Sequence, residues 1–144
     1  MCFDVSLEDG KIGETCSPCV IQSGGLGPCI AIGIYDKKQK IGYMMHESNA
    51  DINQEVPGFI NYVLNKSKKR NLKVYVAGGE INNRASADEN RDVNSSRNYV
   101  KSELEKAFEK NQITYEWNNS TDAIELILET ESGQFIIERT KMPY

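Results

Sequence analysis

The chain has 144 residues, 39% of them hydrophobic and 26% charged, with a formal net charge of −4. That balance excludes a disordered polyelectrolyte and argues against nucleic acid as a partner, because neutralising phosphates needs clustered Lys and Arg. No apolar run approaches the ~20 residues that span a bilayer, so membrane insertion is not expected. Residues 1–144 fit one domain with one core. The first residues, MCFDVSLEDGK, lack a basic and then apolar leader. The four cysteines, Cys2, Cys16, Cys19 and Cys29, crowd into the first fifth of the chain, whereas secreted disulfide frameworks spread theirs over the loops they staple. The expectation is a cytoplasmic protein in a reducing compartment.

In chain order, Phe3, Val5 and Leu7 alternate with polar residues as a short strand ending at Asp9-Gly10. Lys11 to Pro18 reads as a loop. A small apolar run, Cys19 to Ile21, leads into the glycine-rich turn Ser23-Gly24-Gly25-Leu26-Gly27-Pro28. Ile30 to Tyr35 and Ile41 to Met45 flank a charged turn and read as a β-hairpin. Val56, Phe59, Ile60, Val63 and Leu64 recur at helical spacing within Asp51 to Arg70, with Pro57 expected in the first turn. The basic cluster Lys66 to Arg70 then falls at a helix C-terminus, where the macrodipole favours cations. Leu72 to Ala77 reads as a strand stopped by Gly78-Gly79, and Glu80 to Asn94 as a long polar loop. Ser95 and Ser96 are candidate caps for a second helix through Asn111, with Val100, Leu104, Ala107 and Phe108 buried. Ile113 to Trp117, Ala123 to Thr130 and Phe135 to Thr140 complete the strands. The fold class is α+β: a mostly antiparallel sheet or sandwich core covered by two main helices.

The hairpin carries the chemistry. It brings Cys29, at the start of its first strand, back beside His46, the chain's only histidine, at the end of its second. A thiol with pKa ~8.5 needs a neighbouring base to act as a nucleophile at neutral pH, and an imidazole can take the proton and return it. The turn before Cys29 can aim backbone N–H groups of Gly25, Gly27 and Cys29 at a developing oxyanion, whereas Pro28 has none to give. The Ser23 hydroxyl is placed to orient His46 and fix its tautomer. Glu47, next to the histidine, points to the opposite face of the strand. Cys16-Ser17-Pro18-Cys19 is a CxxC without the strand-to-helix setting of a thioredoxin-like site and without two regularly spaced further zinc ligands. A reversible redox pair is its functional alternative. The glycine turn leads into a strand with no Gly-Lys-Ser/Thr, so it is not a nucleotide-binding loop.

Ser23-Gly24-Gly25-Leu26-Gly27-Pro28-Cys29-Ile30-Ala31-Ile32, then Tyr35-Asp36, Ile41-Gly42 and His46, resembles the chemoreceptor glutamine deamidase family (CheD). The order of helices and strands after His46 is similar to that family's as well. Ser23 stands where the family usually has threonine, and Pro28 where it usually has serine; the first change keeps the hydroxyl. The resemblance implies a cysteine amidohydrolase converting protein glutamine side chains to glutamate and ammonia, with Cys29, His46 and Ser23 catalytic and neither metal nor cofactor. Its implied partner is a protein presenting a glutamine, such as a chemoreceptor helix. Two alternatives stay open. One is a non-catalytic docking module on a chemotaxis phosphatase (CheC) or another partner. The other is a translocated effector that deamidates a host protein, since the same Cys-His constellation occurs in cytotoxic necrotizing factors.

Overall fold

The computed structural model describes residues 2–48 and 51–142. Among them, nine strands and two α-helices form an α+β fold: β1 (Val5–Ser6), β2 (Lys11–Cys16), β3 (Val20–Gln22), β4 (Ile30–Asp36), β5 (Ile41–Glu47), α1 (Ile52–Lys66), β6 (Leu72–Gly78), α2 (Ala87–Ala107), β7 (Ile113–Trp117), β8 (Ala123–Glu129) and β9 (Gln134–Thr140). They build two sheets, a four-stranded one in the order β1-β3-β8-β9 and a five-stranded one in the order β2-β5-β4-β6-β7. Of these neighbours, β1/β3 and β6/β7 pair in parallel and the others antiparallel.

Alternation along β4 explains the layering. Ile30, Ile32 and Ile34 join Tyr43 and Met45 of β5 and Val74 and Val76 of β6 under the helices, where they meet Val56, Phe59 and Val63 of α1 and Val100 and Leu104 of α2. Ala31 and Tyr35 face the other way, with Met44 and Ala77, onto Ile21, Ile124, Leu126 and Leu128 of the four-stranded sheet. A strand buried on both faces has no polar alternation to show, which is why β4 reads as a continuous apolar run. Each such side chain removed from water contributes ~1.5–3 kcal/mol before entropy is counted. The Tyr35 hydroxyl crosses between the sheets to donate to the Thr130 carbonyl at 2.7 Å.

Several elements differ from the sequence expectation. Residues Lys11–Cys16 are not a loop but β2, paired antiparallel with β5 along six positions. Their polar composition hid an edge strand that buries little. Pro57 lies in the second turn of α1, inside the helix, not in its first turn. Its missing N–H would orphan the Asn53 carbonyl four residues back, and the Tyr99 hydroxyl of α2 donates to that carbonyl at 3.0 Å. The stretch from Glu80 to Asn94 is not all loop, because α2 begins at Ala87. Ser86, not Ser95 or Ser96, caps it, through a reciprocal capping box with Glu89. The first turns of α2 are solvated, so they carry no apolar period, and burial starts only at Val93. Cys16 pairs with Cys2, not Cys19, in a disulfide, and Cys19 and Cys29 are free thiols. The redox reading of the CxxC pair is thereby overturned: Cys16 is already committed across the N-terminal segment. Among the described residues, no helix is long and apolar enough to cross a membrane.

Candidate functional site

The site sits at one end of the space between the two sheets. Cys29 immediately precedes β4 and shares the inner face of Ala31 by strand alternation. Ala31 pairs directly with His46 across the β4–β5 ladder, so Cys29 is the diagonal neighbour of His46 on the same face. A third group arrives from the turn between β1 and β2. The Gly10 amide donates to the His46 carbonyl at 2.8 Å, and this places the Asp9 side chain at the same mouth. One ligand-type atom from each of Asp9, Cys29 and His46 lies within 4.8 Å of the other two. Asp9 is exposed, Cys29 is partly buried and His46 is 4% exposed, so the cluster opens to solvent on one side only.

His46 Nδ1 lies 2.7 Å from the Ser23 carbonyl oxygen. A carbonyl can only accept, so Nδ1 carries the proton and Nε2 keeps its lone pair. Ser23 therefore fixes the imidazole, but through its main chain. Its hydroxyl is engaged elsewhere, accepting from the Leu126 amide at 2.9 Å and donating to the Gly24 carbonyl at 2.7 Å. The expected hydroxyl contact to His46 is corrected accordingly: the serine hydroxyl fastens the turn to β8. The turn's amides divide as well. The Cys29 amide donates to the Leu26 carbonyl at 2.8 Å and is not a free oxyanion donor. The Leu26 amide is used on Ile124. Those of Gly25 and Gly27 have no partner among the described residues.

Electrostatics run against an easily formed thiolate. Burial, then the carboxylates of Asp9 and Glu47, push the Cys29 thiol up to about 11. A neighbouring imidazole ordinarily lowers a thiol's pKa, and here burial and the two carboxylates outweigh it. Nothing in the amino-acid pattern flags Asp9, which lies 20 positions upstream in a turn whose Asp-Gly reads simply as a strand stop. Only the β2–β5 pairing, itself hidden by polar residues, could have revealed it.

Glu47 faces the helix side, as alternation demands, and is 1% exposed with no hydrogen-bond partner for Oε2 among the described residues. Burial first, then the charges of Glu55, Asp51 and Asp9, push its carboxyl from 4.5 up to about 7. Between those values the unfolded chain ionises while the folded one keeps its proton, so stability falls as pH rises through that window. Glu47→Gln should therefore raise stability at pH 8 by roughly 1–3 kcal/mol and leave it nearly unchanged at pH 4. Thermal melts at the two pH values check this, and an equal shift at both would contradict it.

Two open hollows, of about 630 and 780 Å³, lie at the far end of β4 and are lined by Lys37, Lys38, Lys66, Lys69, Arg70 and Lys73 among others. They hold none of the cluster residues. Part of that basic charge is neutralised locally, by Lys66–Glu14 at 2.8 Å and Lys69–Glu109 at 3.5 Å.

No protein-family model matches this chain, and no curated protein matches it in sequence. Among solved structures, it is similar to the crystal structure of the hypothetical protein YfiH from Bacillus licheniformis, with a TM-score of 0.52 at 7% identity. The match covers 78% of this chain and 62% of that one, so the chain spans less than two thirds of its neighbour's length. At that identity the likeness is one of fold alone.

Proposed function

We propose that the protein is a cysteine-dependent amidohydrolase that deamidates glutamine side chains of a protein substrate, as the resemblance to the CheD family suggests. The observation that carries this reading is the half-open mouth where Cys29 meets an imidazole whose tautomer is fixed by the Ser23 carbonyl. His46 Nε2 removes the thiol proton as Cys29 Sγ attacks the carboxamide carbon. The amides of Gly25 and Gly27, which are unpaired among the described residues, serve the oxyanion. The protonated imidazole then returns its proton to the leaving nitrogen, which departs as ammonia and leaves a thioester. Water, deprotonated by the same Nε2, attacks the thioester. Glutamate forms, the thiol is regenerated, and no cofactor enters the cycle.

A second reading, a docking module without catalysis, is favoured by one observation. The Cys29 thiol is pushed up to about 11, which an adaptor tolerates and a nucleophile must overcome. One measurement separates the two. Incubated with candidate glutamine-bearing helical proteins, the wild type should add about one dalton per modified side chain and release an equivalent of ammonia, while Cys29→Ala does neither. Stable complex formation with no mass gain would leave the docking reading in its place.

A further inference from the structure

We propose that Asp9, Cys29 and His46 form a zinc site with an open fourth position, and that zinc bound there keeps Cys29 from acting as a nucleophile. The regulatory half rests on the deamidase reading; the metal site does not. The donor atoms of these residues already lie within 4.8 Å of one another. Tetrahedral zinc, with bonds of about 2.0–2.3 Å, sets its ligand atoms roughly 3.3–3.6 Å apart. Closure therefore asks about an ångström of the Asp9 and Cys29 side chains, one exposed and the other partly buried.

The third ligand is the fixed one. His46 donates Nδ1–H to the Ser23 carbonyl at 2.7 Å, and an imidazole so anchored presents Nε2 outward, as zinc-ligating histidines do. The Ser23 carbonyl is held in turn by its own residue's bonds to Leu126, at 2.9 Å from the Ser23 amide and 2.9 Å to the hydroxyl. One sulfur, one nitrogen and one oxygen suit zinc, whereas calcium and magnesium take six or more oxygens. Three protein ligands and a solvent-facing side leave the fourth position to water or another ligand. Binding forms a Zn–S bond and releases the thiol proton to solvent, with no change of oxidation state. It also places a divalent cation between the thiolate and the Asp9 carboxylate, whose negative charges otherwise repel.

The test uses the full chain with its Cys2–Cys16 disulfide intact, stripped with a chelator and titrated with zinc against a chromophoric indicator. The expected result is one zinc per chain, bound at least about tenfold more weakly by Asp9→Asn and lost in Cys29→Ser, with Cys19→Ser unchanged. Asp9 is exposed, so Asp9→Asn removes a ligand without disturbing the core. Cobalt in place of zinc should give a sulfur-to-metal charge-transfer band that Cys29→Ser abolishes. Binding that survives in Cys29→Ser, follows Cys19 or is absent at ~100 μM zinc overturns the site. One equivalent of zinc should also block alkylation of Cys29, and a chelator should restore it; alkylation indifferent to bound zinc overturns the regulatory half. Deamidation is measured with chelator present throughout, so loss of the zinc site and loss of the deamidase activity are read separately.

Discussion

His46→Ala should slow deamidation by roughly 10²–10⁴-fold at pH 7, with a pH dependence unlike the wild type's. The Cys29 thiol is pushed up to about 11, by burial and then by Asp9 and Glu47. Four units below that value, only about 10⁻⁴ of the thiol is ionised without help. On the proposed mechanism, Nε2 of the wild type takes the proton during attack, so the rate should not wait for a free thiolate. In the variant, hydroxide must do that work, and the residual rate should climb about tenfold per pH unit toward pH 11. His46→Gln, which preserves more of the buried volume, separates loss of the base from loss of packing. Rates that are equal in variant and wild type across the pH range would remove His46 from the mechanism.

Gly78→Ala should cost roughly 2–4 kcal/mol, the range for a residue forced into a special backbone conformation against a rigid neighbour. Gly78 has φ +101°, where side chains are strained, and a Cβ there would lie 2.4 Å from the Cys29 carbonyl oxygen. That oxygen cannot retreat, because it accepts the Gly79 amide at 2.8 Å, and the Gly78 carbonyl is itself held by the Asn118 amide at 2.9 Å. Gly58→Ala makes the opposite case. Gly58 is exposed in α1, and a methyl added to its Cα would meet nothing within 4 Å, so the change should stabilise by about 0.5–1 kcal/mol. Chemical denaturation of both variants checks the contrast. A Gly78→Ala protein as stable as wild type would mean that the clamp on Cys29 is loose.

What is legible in the sequence follows burial. The β4–β5 hairpin, α1, β6 and β7 are all readable because one or both of their faces carry apolar side chains into a layer. The meeting of Cys29 with His46 follows from hairpin geometry and strand alternation alone. What is hidden has a common cause, which is structure held by polar groups rather than by an apolar period. β2 is an edge strand whose outer residues are solvated, the first turns of α2 rest on a Ser86–Glu89 capping box, and Asp9 joins the site through a backbone bond from Gly10 to His46. Ser23 illustrates a finer limit. Its place beside His46 is readable, but the choice between hydroxyl and carbonyl depends on Leu126, 103 residues away.

That distant bond has a consequence for the order in which the molecule is made. Asp9, Cys29 and His46 all emerge within the first third of the chain, yet the carbonyl that aims the imidazole is held in place only once β8 has paired with β3. Loop-closure entropy makes contacts of such long sequence separation late and slow. A ribosome-bound chain truncated before residue 123 could therefore pair β4 with β5 and bring the cysteine to the histidine, but it would lack the Leu126 bonds that hold the Ser23 carbonyl against the imidazole. An oriented imidazole beside Cys29 is thus a property of the folded chain, absent during the interval of synthesis when unfolded neighbours and exposed strand edges are most abundant.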